Sequence, residues 1–227
     1  MFNQISMDIK TPRTEYKSVD GYRFYFNLDD TCSGPFPSVT TILSVDEEKQ
    51  KSLAQWRKNV GQKEAERISR ISSDRGNRAH EYMEDYIQNL DHRKSLMPDV
   101  VDITRQLSEV ADKHIDNIRA VELSMWSKHL RVAGTVDLIA DFDGELAVID
   151  WKNSLKTKRE EWVHDYFMQK SAYAVMFEET TGVPIRKLVT VIGVAMGAPQ
   201  VFIQDRDNWI DKFKERLKKD YPAYHQF

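Results

Sequence analysis

Two apolar, β-branched runs, Val132-Ala-Gly-Thr-Val-Asp-Leu-Ile-Ala140 and Leu146-Ala-Val-Ile-Asp150, are held apart by Asp141-Phe-Asp143-Gly144. An Asp-Gly signal between two such runs specifies an antiparallel hairpin. Each run carries a carboxylate among residues that should pack in a core. Asp137 closes Gly134-Thr-Val-Asp137, and Asp150 follows thirteen residues later in Asp150-Trp151-Lys152. A charge flanked by Val, Leu and Ile marks a functional site or a sheet edge. Closing the hairpin returns the end of the second strand to the side of the first, so that two carboxylates and a lysine converge. Oxygen ligands for a hard divalent cation, with a fixed cation to steady water or phosphate, are what metal-assisted phosphodiester hydrolysis requires.

The rest of the chain supplies a frame for this hairpin. Residues 15–43 alternate aromatic and polar positions (Tyr22-Arg-Phe-Tyr-Phe26) and pass through Gly34-Pro-Phe-Pro37 into Ser38-Val-Thr-Thr-Ile-Leu43, a pattern of a hairpin or lead-in strand with a rigid turn. Asp46 is placed to cap a helix through Trp56 that stops at Gly61, and a second helical stretch follows from Gln62. Ser72, Ser73 or Asp74 is then expected to cap a further helix carrying His80, Met83, Tyr86-Ile87 and Leu90. Asp91 to Pro98 reads as a linker, and the apolar spacing of Val100, Ile103, Leu107, Val110, His114 and Ile118 predicts a helix over 99–119. Strands are expected near 120–126, 131–141 and 145–153, a helix over 160–180 ended by Gly182-Val-Pro184, strands near 185–195 and 200–204, and a last helix over 206–219. This order specifies an α/β fold: a mixed central β-sheet flanked by helices, with an N-terminal helical wall beside it. Residues 1–227 are expected to form a single nuclease domain, with 1–119 as one wall of the cleft and 120–227 as the nuclease core.

Composition narrows the class. The net charge of −3 argues against coating nucleic acid through bulk charge and leaves room for a local basic groove beside an acidic metal site. A single cysteine, Cys32, excludes a disulfide framework and a four-cysteine zinc or iron–sulfur site within this chain. No apolar run reaches membrane-spanning length, and the N-terminus lacks a signal-peptide core. The expectation is a soluble protein of the cytoplasm, in a bacterial or phage-infected cell, ahead of a mitochondrial matrix protein that has lost its transit segment.

A catalytic Asp on one strand, a downstream Asp-x-Lys on the next and a following helix resemble the PD-(D/E)xK nuclease superfamily. Gly76-Asn-Arg-Ala-His80 on an upstream helix, Gly134-x-x-Asp137, and Gln169-x-x-x-Tyr173 after the lysine narrow the resemblance to the RecB-like exonuclease branch. These motifs run in family order from 76 to 173. The Ser38–Leu43 segment and the Trp56 helix are similar to the mitochondrial genome maintenance exonuclease group and its phage relatives, and the lack of four cysteines points to a cluster-free member.

The resemblance implies Asp137, Asp150 and Lys152 as catalytic residues. One or two Mg²⁺ or Mn²⁺ ions would be held by Asp137, Asp150, the Trp151 carbonyl and His80, whose imidazole suits Mn²⁺. Gln169 and Tyr173, four apart and so on one helix face, would help to hold the DNA strand. Lys156, Lys158 and Arg78, with Arg75 and Arg159, are candidate phosphate contacts, and Trp151, Trp162, Tyr166 and Phe167 are candidate stacking partners for bases. Glu122 reads as a carboxylate at the rim. The implied activity is metal-dependent exonuclease action on single-stranded DNA. An endonuclease, a recombination or CRISPR-adaptation nuclease, and an inactive DNA-binding module stay open, as do replication or recombination proteins as partners, cleavage polarity and oligomeric state.

Overall fold

The computed structural model describes residues 1–221 except 12, 20–21, 30–33 and 92–95, so Cys32 and half of the expected linker lie outside the described residues. Its centre is a five-stranded mixed sheet in the order β4-β5-β6-β7-β8, formed by Ile115–Ser127, Val132–Phe142, Glu145–Ser154, Lys187–Val194 and Gln200–Asp205. Neighbours are antiparallel except β6 and β7, which run parallel. Parallel neighbours need a crossover, and α5 (His164–Thr181) supplies it after a single turn at Glu160–Trp162. Gly182, at φ 73°, terminates α5 where the sequence placed its stop.

Helices cover both faces. α3 (Gln62–Ile87) and α4 (Pro98–His114) bury Ala79, Met83, Ile87, Ile103 and Leu107 against Leu138, Ala140, Ile149 and Trp151. On the other face α5 and α6 (Ile210–Asp220) bury Phe167, Ala174, Phe177, Phe213 and Leu217 against Val136, Ile139, Val148 and Leu188. Strands covered on both faces read as continuous apolar runs rather than as alternation, which is why the hairpin was so plain in the sequence. The buried Gln106 of α4 fixes its helix to the sheet from the side chain, donating to the Val194 carbonyl at 2.9 Å and accepting from the Val194 N–H at 3.0 Å.

A second, three-stranded sheet, β1 (Thr14–Val19), β2 (Tyr22–Asn27) and β3 (Phe36–Pro37), sits beside β5, with Tyr25, Phe36, Trp126 and Ala133 packed between them. The expected aromatic hairpin is β1 and β2. The segment after it is not a strand: Ser38 accepts from the Thr41 N–H at 3.0 Å and caps a short helix, α1 (Val39–Ser44). Ser-x-x-Thr chemistry overrode the β-branched composition of Val39-Thr-Thr-Ile42. Asp46 does cap α2 (Glu47–Val60), accepting from the Lys49 N–H at 2.7 Å.

Two boundaries differ from expectation. No new helix starts at Ser72–Asp74; α3 runs unbroken for 26 residues. A Ser-Ser-Asp cluster favours a cap only where the preceding turn can end, and here the apolar stripe on Ala65, Ala79, Met83 and Ile87 holds the helix to the core. α4 stops at His114, and Ile115 and Ile118 belong to β4. Ile118 is buried in the strand, so its four-residue spacing from His114 was fortuitous. The remaining elements lie within a few residues of their expected places.

Candidate active site

The side-chain alternation of β5 slips at Asp137. Val132 and Val136 face α5, whereas Leu138, Ala140 and Phe142 face α3 and α4. The β5–β6 ladder ends at Leu138↔Ile149, so the strands part just where the two acids stand. The freed Trp151 N–H, with no ladder carbonyl to meet, donates to Asp137 Oδ2 at 3.0 Å. The hairpin therefore brings the acids together by opening, not by continuing its pairing. Across the sheet, Glu122 on β4 falls between the pairs Val121↔Leu138 and Leu123↔Val136, opposite Asp137, and Thr190 on β7 is paired with Asp150.

His80 from α3 closes the group, its Nδ1 3.4 Å from Asp137 Oδ2. Ligand atoms of His80, Glu122 and Asp137 all lie within 4.8 Å of one another. Asp150 is turned differently. Lys152 Nζ donates to its Oδ1 at 2.6 Å, while its Oδ2 is buried with no hydrogen-bond partner. A buried carboxylate oxygen without a donor is costly, and a cation is the partner its chemistry invites. The donor set of one imidazole and hard carboxylate oxygens suits Mn²⁺ or Mg²⁺ and no soft metal.

The charges of the site are strongly coupled. Burial, then the adjacent Asp150, push the Asp137 carboxyl up, against the pull of His80, Lys152 and the Trp151 N–H. Burial also opposes ionisation of Asp150, but Lys152 and Lys170 outweigh it and hold that carboxyl below its usual range. Burial disfavours the charge of Lys152 too, and Asp150 and Asp137 reverse this, keeping it a cation. Glu122 lines the cavity, and partial burial and the charges of Asp137, Glu84 and Asp150 raise it to about 7.

Two members of this site lay outside the sequence reading. Glu122, expected at the rim, stands in the cluster because its backbone adopts the left-handed conformation, φ 46°. A non-glycine residue in that region is uncommon, and such strain concentrates at functional sites. Lys170 is fully buried on α5, where its Nζ donates to the Tyr166 carbonyl at 2.7 Å and to Thr190 Oγ1 and lies 3.9 Å from Asp150 Oδ2. Burial lowers it to about 7 in spite of Asp150. Its position between Gln169 and Tyr173, both expected strand contacts, was the one signal in the sequence.

The expected strand contacts divide. Gln169 and Tyr173 both line the cavity of about 630 Å³ over the acids, and Gln169 Nε2 donates to Tyr173 Oη at 3.1 Å. Lys156 and Lys158 line a neighbouring cavity of about 700 Å³ with Ile71, Leu155 and the exposed Trp162. Arg78 is exposed on α3 and lines neither cavity. Arg75 lines the same cavity as Lys156 and Lys158, but it is 7% exposed and engaged by Asn153 and Asp99. Trp151 and Phe167 are core residues and cannot stack on bases; Trp162, 63% exposed, can.

Residues 51–223 match the model of the PD-(D/E)XK nuclease superfamily. The chain is 26% identical over 208 residues to mitochondrial genome maintenance exonuclease 1 of Xenopus tropicalis, covering 82% of this chain and 59% of that protein, so it spans less than two thirds of the relative's length. A crystal structure of a candidate exonuclease from Eubacterium rectale superposes with a TM-score of 0.45 at 12% identity over 66% of each chain, a likeness too slight to carry weight. No helix among the described residues is long and apolar enough to cross a membrane.

Proposed function

This chain belongs to the PD-(D/E)XK nuclease superfamily, and from that premise we propose that it is a metal-dependent exonuclease hydrolysing single-stranded DNA from free ends. The observation that carries the reading is the convergence of His80, Glu122, Asp137, Asp150 and Lys152 at the point where β5 and β6 part. The Xenopus relative is an exonuclease by name, which favours attack at ends.

His80, Glu122, Asp137 and Asp150, with the Trp151 carbonyl, would hold Mg²⁺ or Mn²⁺; this chain's single cysteine cannot by itself hold a four-cysteine cluster. When bound, the cation supplies Lewis acidity towards phosphate and water. The protein's own contributions follow from the geometry. Asp150 anchors Lys152 as an ammonium at the cavity wall, where it orients water and balances the charge that develops on phosphorus. The Trp151 N–H fixes the Asp137 carboxylate, so the acid does not have to be ordered when substrate arrives. Gln169 and Tyr173 brace one another on the far wall as contacts for the strand. Lys156, Lys158 and Trp162, with Arg78 further along α3, suit the phosphates and a base of the flanking nucleotides. Replication or recombination proteins would be the partners of such an activity.

The test is cleavage of an end-labelled linear single strand and of the same strand circularised, in Mn²⁺, Mg²⁺ or EDTA, with Lys152→Ala as control. Loss of the linear strand alone, abolished in EDTA and in the variant, is expected. Cutting of the circle would make the protein an endonuclease. Binding of both strands without cleavage would make it a DNA-binding module.

A further inference from the structure

Besides Lys152 of β6 and Gln169 and Tyr173 of α5, two unlike walls line the cavity over the acids. One, built by α3, β4 and β5, presents His80, Glu84, Glu122 and Asp137. The other comes from the N-terminal sheet and the start of α1 and presents Arg23, Tyr25, Ser38 and Thr40. The second wall is rich in hydroxyls and carries the arginine.

Arg23 is held in place from several directions. Its backbone N–H donates to Thr41 Oγ1 at 3.0 Å, and its carbonyl accepts from the Ser38 N–H at 2.9 Å. Its guanidinium stands 4.8 Å from the centre of the Tyr16 ring, a stacking that leaves the edge of the fork free for an anion. Hydroxyl contacts connect this wall to the metal side. Tyr25 Oη lies 3.5 Å from Thr135 Oγ1, which in turn lies 3.0 Å from Ser124 Oγ. Thr135 precedes Asp137 by two residues on β5, a step of about 7 Å, comparable to the step between consecutive phosphates of an extended strand.

We propose that this wall is a phosphate-binding subsite, with Arg23 as its charged anchor, for the phosphate adjacent to the one being cleaved. The inference rests on the reading of the chain as a phosphodiester nuclease. A single strand presents an anion at every step, so its neighbouring phosphates are repelled by Glu81 and Glu84 and drawn towards the arginine of the opposite wall. Arginine meets phosphate through two parallel hydrogen bonds, and serine, threonine and tyrosine hydroxyls are ordinary phosphate partners. The N-terminal sheet thereby acquires a role in holding substrate across from the catalytic acids.

The test pairs Arg23→Gln with oligonucleotides carrying one neutral methylphosphonate, placed one step to either side of the scissile phosphate. Arg23 is exposed, so the variant should unfold at the temperature of the wild type. Arg23→Gln is expected to weaken single-strand binding in Ca²⁺ about tenfold and to lower the slope of log K against log salt by about 0.7. One of the two methylphosphonates should cost the wild type the same factor and cost Arg23→Gln nothing further. If the losses multiply at both positions, or if Arg23→Gln binds as the wild type does, the subsite is elsewhere. Those outcomes leave cleavage by the wild type intact; a protein that neither binds nor cuts any strand overturns the nuclease reading itself.

Discussion

Gly134 lies directly beneath the ring of Tyr173. A Cβ at position 134 would stand 2.6 Å from Cε1 and 3.0 Å from Oη. The glycine of the Gly-x-x-Asp motif is therefore required by packing, because its backbone is not in the left-handed region. Tyr173 is 3% exposed and cannot swing aside. Gly134→Ala should destabilise the protein by about 1–3 kcal/mol and displace the Gln169–Tyr173 pair from the cavity. Thermal unfolding and single-turnover cleavage check this together. Full activity with an unchanged melting temperature would show that the ring has room to move.

Glu122 makes the site sensitive to pH. Its carboxyl is raised from an ordinary 4.5 to about 7 without metal, by partial burial and by its acidic neighbours. A carboxyl raised on folding has no effect on stability at pH values where both states are protonated. It destabilises progressively as pH climbs from about 4.5 through 7. In EDTA the melting temperature should thus fall between about pH 4.5 and 7 and level off above, and Mn²⁺ should restore it. Metal binding below pH 7 should release a proton, measurable by calorimetry in two buffers of different ionisation enthalpy. Glu122→Gln should abolish both effects; proton release that persists in the variant would assign it to Asp137.

Lys170 presents a conflict between stability and function. Its ammonium is buried, and burial depresses it to about 7, so the charged form is costly to the fold. Replacing a whole buried ion pair by apolar groups is often neutral or stabilising, but removing one partner leaves the other uncompensated. Lys170→Met, which leaves Asp150 to Lys152 alone, should therefore lose about 3 kcal/mol, and Lys170→Ala, which also opens a cavity, should lose more. Both remove the cation behind Asp150 and should slow cleavage about tenfold at saturating metal. A Lys170→Met variant that cuts at the normal rate would reduce this lysine to a packing residue.

The sequence showed much of this arrangement because its strongest signals are local. An Asp-Gly turn between β-branched runs, acids embedded in those runs, and Gln169 and Tyr173 on one turn of helix can each be read without knowing the fold. What stayed hidden depends on tertiary geometry. The slip in β5 at Asp137 leaves the apolar run looking continuous, and the left-handed turn at Glu122 has no glycine or asparagine to announce it. Arg23 resembles any polar residue of a hairpin until β2 is laid against β5. The over-long reading of α4 had the same origin, since Ile118 is buried in a strand at a position a helix would also have buried.

The relation of His80 to Asp137 bears on which ion the proposed site would prefer. At 3.4 Å the imidazole Nδ1 and the carboxylate can be an ion pair or two ligands of one cation. Imidazole favours Mn²⁺ over Mg²⁺, which holds to oxygen donors and water. If His80 is a ligand, His80→Ala should raise the half-saturating Mn²⁺ concentration about 10–100-fold, the scale of losing one member of a metal site, and affect Mg²⁺ far less. The two curves should converge, so that an enzyme preferring Mn²⁺ loses its preference. If His80 only balances the charge of Asp137, its removal should tighten both ions alike, because the site becomes more negative. Cleavage rates across a titration of each metal distinguish the outcomes, and equal shifts for Mn²⁺ and Mg²⁺ would remove His80 from the ligand set.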